Sequence, residues 1–498
     1  MTQYDNLKRV MNLVTDLGAA AAVLGWDQET FMPDGAVMAR AEQLATLSTL
    51  AHHYMTNDEA QRAVADIRPA LSSLSDRERR VSETFIRDHE RSLKLPAELV
   101  TEGARVASLA QDAWKKARAA SDFSLFQPML ERTVELKKRE AEILGPGKHP
   151  YDVMLDTYEP GLTVDQVTPI FDRLREGTRE ILSHITPRQS SVSDVVLYRH
   201  YPKNEQLDLA KKIITHLGFS EETGRVDLSA HPFCTQFDSS DVRLTTRIRE
   251  NDLRSCLFGL IHESGHGMYE QGVSKELSRT PSGQGASMGI HESQSLFWEN
   301  VIARSEEFWH WAFPMMRTAF PDQLKDQDPS SFFRAINKMQ PSLNRVESDE
   351  LTYNLHIILR FEIERDLMSG ALAVKDIPTA WNEKMNASLG VVPPNDAEGC
   401  LQDVHWSFGG IGYFPSYTLG KLYAAMEWNQ MQQEMPGVAD RVANGDFAPI
   451  LNWLRVKIHD FGRTETPNEI IQRVAGRPLT ETDFLEYVGA KAARVYGF

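Results

Sequence analysis

The chain has 498 residues, of which 54 are basic and 70 acidic, and its net charge is −16. This length can bury a large core, and the acidic balance disfavours binding to nucleic acid or to anionic membranes. The three cysteines, Cys234, Cys256 and Cys400, are too few and too scattered for a disulfide framework, so a reducing compartment is expected.

No stretch approaches the ~20 apolar residues that span a bilayer, and the first residues lack the apolar segment of a signal peptide. We therefore expect a soluble, cytoplasmic protein. Because no Gly- or Pro-rich linker divides the sequence, a single domain over residues 1–498 is predicted. Its fold class is mainly α: one large helical body with a deep active-site groove and a small β-sheet lining it.

Apolar spacings of three and four residues predict helices along most of the chain. A helix over residues 130–143 should end at Gly145, and the capping-box pair Thr163 and Gln166 should begin the next one. Two short runs, 195–198 and 242–248, are rich in β-forming residues and predict strands. The second could belong to a sheet whose edge binds an extended peptide, or it could be part of a purely structural hairpin. Further helices are predicted at residues 253–268, 288–300, 351–367, 419–431 and 483–496.

The most informative run is His-Glu-Ser-Gly-His at residues 262–266. On the predicted helix, His262 and His266 are one turn apart and share a face, so both imidazoles can reach one metal ion. Glu263 is rotated by about 100° and can hydrogen-bond a water at the metal. This H-E-x-x-H spacing is typical of metallopeptidases and predicts two metal ligands and a general base. The alternative is an accidental pair of histidines on an amphipathic helix.

A catalytic zinc normally has three protein ligands, so a third must be found. No third histidine follows at the metzincin spacing. Glu292 is the predicted ligand, because the glycines that precede it permit a turn that returns its helix to the histidine pair. Glu299, two turns further on, is the alternative ligand, or a residue that orients a ligand histidine. Three glycines in the metal helix, Gly259, Gly265 and Gly267, each cost about 1 kcal/mol relative to Ala and predict close approach by neighbours or substrate.

Several short signatures follow one another along the chain. They are Trp26-Asp-Gln-Glu-Thr, His231-Pro-Phe, Asp241-Val-Arg-Leu-Thr, the 262–266 run, His291-Glu-Ser-Gln, Gly399-Cys-Leu-Gln-Asp-Val-His-Trp and Val474-Ala-Gly-Arg-Pro-Leu. In this order they resemble the carboxypeptidase Taq family of metallocarboxypeptidases over nearly the whole chain. One segment departs: residues 344–349 read Asn-Arg-Val-Glu-Ser-Asp, where the family often has an apolar residue before the Arg and an Ala before the Asp.

The resemblance implies a homodimer that releases C-terminal amino acids from peptides. It implies that His405 and Tyr417 stabilise the oxyanion, with Tyr413 as the alternative to Tyr417. A free α-carboxylate is best bound by an arginine fork. Arg345 is the candidate because it stands in a family signature, and Arg243 is the alternative.

The predicted cofactor is one divalent metal, Zn²⁺ in the first place, although Co²⁺ or Mn²⁺ accepts the same ligands. Zinc lowers the pKa of its bound water to roughly 7, and Glu263 would take the proton and pass it to the leaving amine. Two other functions remain open. An endo-acting oligopeptidase or dipeptidase would share the metal residues. A non-catalytic protein with a vestigial zinc has no use for Glu263, which argues against it.

Overall fold

The computed structural model describes residues 2–498, and most of these residues lie in α-helices, as the apolar spacing predicts. Within them there are twenty α-helices and one three-stranded sheet, so the prediction of a mainly α fold with a small sheet is confirmed. The chain forms two compact units, each built from three segments. The single domain over residues 1–498 stays a prediction.

The first unit comprises residues 2–93, Asp194–Ile336 and Glu427–Arg477 and contains the sheet. Its helices are α1 (Gln3–Thr30), α2 (Val37–Thr56), α3 (Asp58–Ile67), α4 (Asp76–Lys94), α9 (Lys203–Leu217), α10 (Leu253–Gly272), α11 (Met288–Leu296), α12 (Glu306–Ala319), α13 (Pro329–Ile336), α17 (Val438–Ala443), α18 (Ala448–Lys457) and α19 (Pro467–Ala475).

The second unit comprises Lys94–Ser193, Asn337–Met426 and Pro478–Phe498. Its helices are α5 (Ala97–Ala120), α6 (Gln127–Leu144), α7 (Pro150–Tyr158), α8 (Val164–Ile185), α14 (Tyr353–Ser369), α15 (Ile377–Leu389) and α20 (Thr482–Tyr496). The helix α16 (Pro415–Glu434) has residues in both units.

Two helix ends predicted from the sequence, the start of α8 and the end of α6, are found in the second unit. The side chain of Gln166 accepts a hydrogen bond from the backbone N–H of Thr163 at 3.0 Å, which completes the capping box at the start of α8. Gly145 ends α6 at its C-cap. The helix α14 is buried on nearly all sides, which explains why its apolar residues do not form a single stripe.

The sheet consists of β1 (Gly224–Leu228), β2 (Cys234–Asp238) and β3 (Asp241–Thr246), in the order β1-β3-β2. Strand β3, which was predicted, pairs in parallel with β1 and antiparallel with β2. Because β3 is the central strand, an edge that could bind a peptide belongs to β1 or β2.

The predicted strand at residues 195–198 is wrong. Val195–Tyr198 is a 3₁₀ turn, in which Leu197 N–H donates to Asp194 O at 2.9 Å and Tyr201 O–H donates to Val196 O at 2.7 Å. These local bonds occupy the backbone groups that a strand would pair with a neighbour. None of the helices in residues 2–498 combines the length and the apolar composition that a membrane span requires.

The glycines of α10 confirm the predicted close approach at two of three positions. A Cβ at Gly265 would lie 2.6 Å from Gln294 O and 2.6 Å from Ser295 Cα, so α10 and α11 are in backbone contact there. A Cβ at Gly267 would lie 2.8 Å from Phe219 Cε2. At Gly259 the nearest atom, Pro232 Cγ, would be 3.9 Å away, so this glycine is not required by packing.

We therefore expect Gly265→Ala to lower the free energy of unfolding by about 1–3 kcal/mol, because a backbone cannot move aside as a flexible side chain can. Gly259→Ala is the matched control on the same helix. It should leave stability unchanged or raise it by up to about 1 kcal/mol through helix propensity. Thermal and urea unfolding of both variants would measure this, and equal effects at the two positions would contradict the backbone contact.

Candidate metal centre

The helix pair α10 and α11 brings the three predicted ligands together. Glu292 Oε2 lies 3.7 Å from His262 Nε2 and 3.5 Å from His266 Nε2. One ligand atom from each of the three residues lies within 4.8 Å of the other two. Ligand atoms at zinc distances in a tetrahedron are about 3.4 Å apart, so the set has the dimensions of a metal site.

Glu299 occupies the orienting position rather than a place among these three atoms. It lies in a π-helical turn, Phe297–Ile302, that directly follows α11. Its Oε2 is 2.9 Å from Nδ1 of His262, and its Oε1 accepts a hydrogen bond from Arg304 Nη2 at 2.9 Å. Burial raises the pKa of Glu299, but Arg304 and the bond to His262 outweigh it and hold the pKa at about 2. An ionised Glu299 therefore fixes the His262 ring with Nε2 towards Glu292.

Glu263 follows His262 on α10 and is buried. Burial and the nearby charge of Glu292 raise its pKa to about 7, against the opposing effect of His262. Burial lowers the pKa of His262, yet Glu292 and the bond to Glu299 outweigh this and raise it to about 10. Three carboxyl groups thus surround two imidazoles, and this concentration of acidic groups, which raises the pKa of His262, favours a cation at the site. The donor set of two nitrogens and one oxygen suits a divalent metal.

Sequence reasoning missed three residues that support the ligands. His291 Nδ1 lies 2.5 Å from His266 Nδ1, and its Nε2 lies 2.6 Å from Glu270 Oε1. Arg304 holds Glu299, as described above. One signal was available: Glu270 stands four residues after His266, on the same face of α10. His291 immediately precedes Glu292, but the sequence does not reveal that its ring turns back towards α10.

The second unit holds Arg345 in a buried cluster. Its Nε and Nη2 donate to Asp403 Oδ1 at 3.0 and 2.7 Å, and its Nη1 donates to Tyr353 Oη at 2.5 Å. Arg360 donates from Nε and Nη2 to the other carboxylate oxygen of Asp403 at 2.7 and 2.5 Å. Burial opposes ionisation of Asp403, but the two arginines hold its pKa far below the usual range. Gln402 also accepts from both arginines, at Arg345 N and Arg360 Nη2.

His405 and Tyr417 are hydrogen-bonded partners in the same unit, with His405 Nε2 3.1 Å from Tyr417 Oη. The ring of Tyr413 lies 5.3 Å from that of His405 and 5.3 Å from that of Tyr417. Burial and the charge of the two arginines outweigh the effect of Asp403 and lower the pKa of His405 to about 4. His405 is therefore a neutral imidazole at physiological pH.

A buried carboxyl group fixes the loop that carries His405. Glu364 accepts hydrogen bonds from Trp406 Nε1 at 2.8 Å, from Gly412 N at 2.9 Å and from Tyr151 Oη at 2.6 Å. Two of these donors flank the glycine-rich loop after His405, and its closure requires Gly409 and Gly412 at positive φ. The loop is thus held at both ends from α14.

Arg243, the alternative carboxylate ligand, lies on β3 in the first unit. It donates from Nε and Nη2 to the two oxygens of Asp241, each at 2.9 Å. Its guanidinium carbon lies 4.3 Å from the ring centre of Trp26 and 4.8 Å from that of Phe237. This arginine is therefore paired with a carboxylate and stacked between two rings.

Comparison with known proteins finds similarity over nearly the whole chain. Residues 6–492 match the family described as Carboxypeptidase Taq (M32) metallopeptidase. The chain is 39% identical to carboxypeptidase 1 of Bacillus subtilis, covering 99% of this chain and 98% of that protein. It is 39% identical to thermostable carboxypeptidase 1 of Thermus thermophilus, with 99% of each covered. The crystal structure of the M32 carboxypeptidase from Deinococcus radiodurans is similar with a TM-score of 0.96, at 36% identity and 100% coverage of both chains.

The Asp403 cluster predicts a strong dependence of stability on one carboxylate. Asp403→Asn would leave Arg345 and Arg360 buried without a counter-charge, and such a loss costs about 3–5 kcal/mol. Asp326→Asn is the matched control, because Asp326 pairs with Arg199 at the surface, where water screens the charges. Thermal unfolding should show a large decrease for Asp403→Asn and little change for the control, whereas equal decreases would contradict the argument.

Proposed function

Since the chain belongs to the carboxypeptidase Taq (M32) metallopeptidase family, and is thus a metallocarboxypeptidase, we propose that it releases single amino acids from free C-termini of peptides with one metal ion held by His262, His266 and Glu292. The observation that carries the proposal is the convergence of these three ligand atoms within 4.8 Å. These are the three residues that the sequence predicts as ligands.

Zn²⁺ is the proposed metal, because two imidazoles and one carboxylate are a ligand set of catalytic zinc, and Co²⁺ or Mn²⁺ would fit the same atoms. When bound, the metal polarises the scissile carbonyl and makes the attacking water more acidic. The protein itself orients the two imidazoles so that the Nε2 atoms of His262 and His266 both face Glu292. His262 is held from behind by Glu299 at 2.9 Å, and His266 by His291 at 2.5 Å.

We assign the proton transfers to Glu263. Its pKa of about 7 is matched to a group that must accept a proton from the attacking water and then release it to the leaving amine. A carboxyl group with an ordinary pKa would be a weaker base for the first transfer. Burial of the Glu263 side chain is the largest cause of the difference.

We propose that His405 and Tyr417 donate hydrogen bonds to the oxyanion, with Tyr413 as the alternative to Tyr417. What supports it is that Nε2 of His405, beside the loop held by Glu364, lies 3.1 Å from Oη of Tyr417 in the first turn of α16. His405 is neutral, because its pKa is lowered to about 4, so it would act through a fixed N–H rather than through a positive charge.

Arg345 is proposed to bind the terminal carboxylate of the substrate. Its bonds to Asp403 and Tyr353 use three of the five N–H donors of a guanidinium, so two remain for a second acceptor. Asp403 would hold the fork in a fixed orientation before substrate arrives. Arg243, whose Nε and Nη2 donate to Asp241, remains the alternative.

Cytoplasmic location and a homodimer complete the proposal. The three cysteines are free thiols, as a reducing compartment favours. The homodimer rests on the family resemblance, and light scattering of the purified protein would give the molar mass directly.

The metal and the base can be tested separately. Glu263→Gln should lower kcat by about 10²–10⁴-fold while the metal content measured by mass spectrometry stays at one ion per chain, because Glu263 is a base and not a ligand. His262→Ala should lose the metal and the activity together. Retained activity in Glu263→Gln would refute its role, and full metal content in His262→Ala would refute the ligand set.

The specificity can be tested with one peptide in two forms. The enzyme should hydrolyse the peptide with a free C-terminus and should cleave its C-terminal amide far more slowly, because the neutral amide has only one acceptor oxygen and cannot form a charged two-oxygen pair with the guanidinium. Arg345→Lys keeps a cation beside Asp403 but removes the fork. It should raise KM for the free peptide about tens-fold, since charged hydrogen bonds contribute roughly 1.5–3 kcal/mol each.

The control in this experiment is Arg243→Lys, which should leave the preference for a free C-terminus unchanged. If Arg243→Lys loses that preference and Arg345→Lys keeps it, the two roles are exchanged. Equal cleavage of free and amidated peptides by the wild type would instead support the endo-acting oligopeptidase, which family membership does not favour.

A further inference from the structure

We propose that His291 and Glu270 are positioning residues that fix the tautomer of the ligand His266, so that the lone pair of its Nε2 points to the metal. The inference rests on the proposed metal site and adds two residues to it. Glu270 lies on α10, four residues after His266, and His291 lies on α11. Together the three side chains form two consecutive hydrogen bonds behind the site, and we call this series Glu270–His291–His266 the relay.

The contacts are short and largely shielded from water. His291 Nδ1 lies 2.5 Å from His266 Nδ1, and His291 Nε2 lies 2.6 Å from Glu270 Oε1. The side chain of Glu270 is only 6% exposed, and that of His266 14%. Water therefore competes little for these bonds.

Each hydrogen bond of the relay has one donor and one acceptor, and the position of the ring hydrogens decides which is which. A carboxylate can only accept, so Nε2 of His291 carries the hydrogen that bonds to Glu270. Nδ1 of His291 lies 2.5 Å from Nδ1 of His266, and with Nδ1 of His266 as the donor of this bond the His291 nitrogen is its acceptor. This leaves Nε2 of His266 without a hydrogen and free to bind a metal. The opposite direction would put the hydrogen of His266 on Nε2, where it would block ligation.

The surroundings hold the His291 ring in place for this purpose. A Cβ at Gly285 would lie 2.6 Å from His291 Cδ2, so this glycine provides the space that the ring occupies. On another side the ring of Tyr269 packs at 5.3 Å between centroids. The backbone N–H of Gly285 also donates to Glu270 Oε1 at 3.3 Å. The loop before α11 is thus fastened to the same carboxylate as the relay.

The carboxylates behind the two ligand histidines differ in whether a positive side chain balances their charge. The charge of Glu299, behind His262, is matched by Arg304. Glu270, behind His266, has its Oε2 buried without a hydrogen-bond partner in residues 2–498. A buried carboxylate without a cation is costly. A metal ion at the far end of the relay would supply the missing positive charge, and the relay would in turn make His266 a more basic ligand.

The experiment measures Zn²⁺ affinity of the full-length chain at one pH by competition with a chromophoric chelator. His291→Leu removes both bonds and should weaken binding about 10–100-fold, the usual effect of losing such a partner. In His291→Asn, Oδ1 stands near the position of Nδ1 and can still accept from His266, so its loss should be smaller. Glu270→Gln should weaken Zn²⁺ binding but leave the melting temperature of the metal-free protein equal to wild type or higher, because a buried charge is removed.

Two comparisons separate a relay from ordinary packing. Tyr269→Phe removes the hydroxyl that accepts from Ala286 N and alters the surroundings of His291 without touching the relay, so Zn²⁺ affinity should be unchanged. The double variant Glu270→Gln/His291→Leu should bind Zn²⁺ no more weakly than His291→Leu alone, because the link is already broken. Additive losses would overturn the relay, as would wild-type affinity in His291→Leu or in Glu270→Gln.

Failure of the metal site itself gives a different result. If His262→Ala binds Zn²⁺ as tightly as the wild type does, the ligand set is wrong. If His262→Ala loses Zn²⁺ but the His291 and Glu270 variants keep wild-type affinity, only the relay is wrong. Should His291→Leu fail to fold, as circular dichroism would show, His291→Asn and Glu270→Gln decide the matter by the same affinities.

Discussion

The metal centre depends on one backbone contact, that between Gly265 and residues 294–295. A Cβ at Gly265 would be 2.6 Å from Ser295 Cα, so α10 and α11 can approach this closely only because the side chain is absent. The approach lets the first turns of α11 face the histidine pair. Glu292 then reaches both Nε2 atoms, and His291 reaches the Nδ1 of His266. With any other residue at position 265 the helices would separate and these short contacts would lengthen together.

Much of the site could be predicted from the sequence because its parts are close along a helix. The spacing of His262 and His266 fixes their shared face, and a third ligand had to return across a glycine-rich turn, which identified Glu292. The role of Glu299 was left between ligand and orienting residue, because seven residues place it on the same face as Glu292. The structure assigns it to Nδ1 of His262, through a π-helical turn that no spacing rule anticipates.

Other features could not be read from the sequence, for physical reasons. Val195–Tyr198 has the composition of a strand, but its backbone bonds are local and the composition does not show this. The pairing of Arg345 with Asp403 joins residues 58 positions apart, and nothing in either segment states that they meet. The mainly α class, by contrast, follows from apolar spacing repeated in almost every segment. Patterns within a segment were predictable, and contacts between distant segments were not.

Both units contain buried charged groups. Carboxyl groups predominate in the first unit and arginines in the second. In the first unit, Glu263, Glu292 and Glu299 surround the ligand histidines, and one of these charges is matched by Arg304. In the second unit, Arg345 and Arg360 both pair with the carboxylate of Asp403, so these three groups together carry one positive charge. A buried imbalance is costly unless a ligand removes it. The first set fits a metal cation, and the second fits a carboxylate anion. A peptide with a free C-terminus brings that anion, and a peptide amide does not. In our proposal, the preference for a free terminus would therefore depend on charge balance within the second unit as well as on the geometry of the arginine fork.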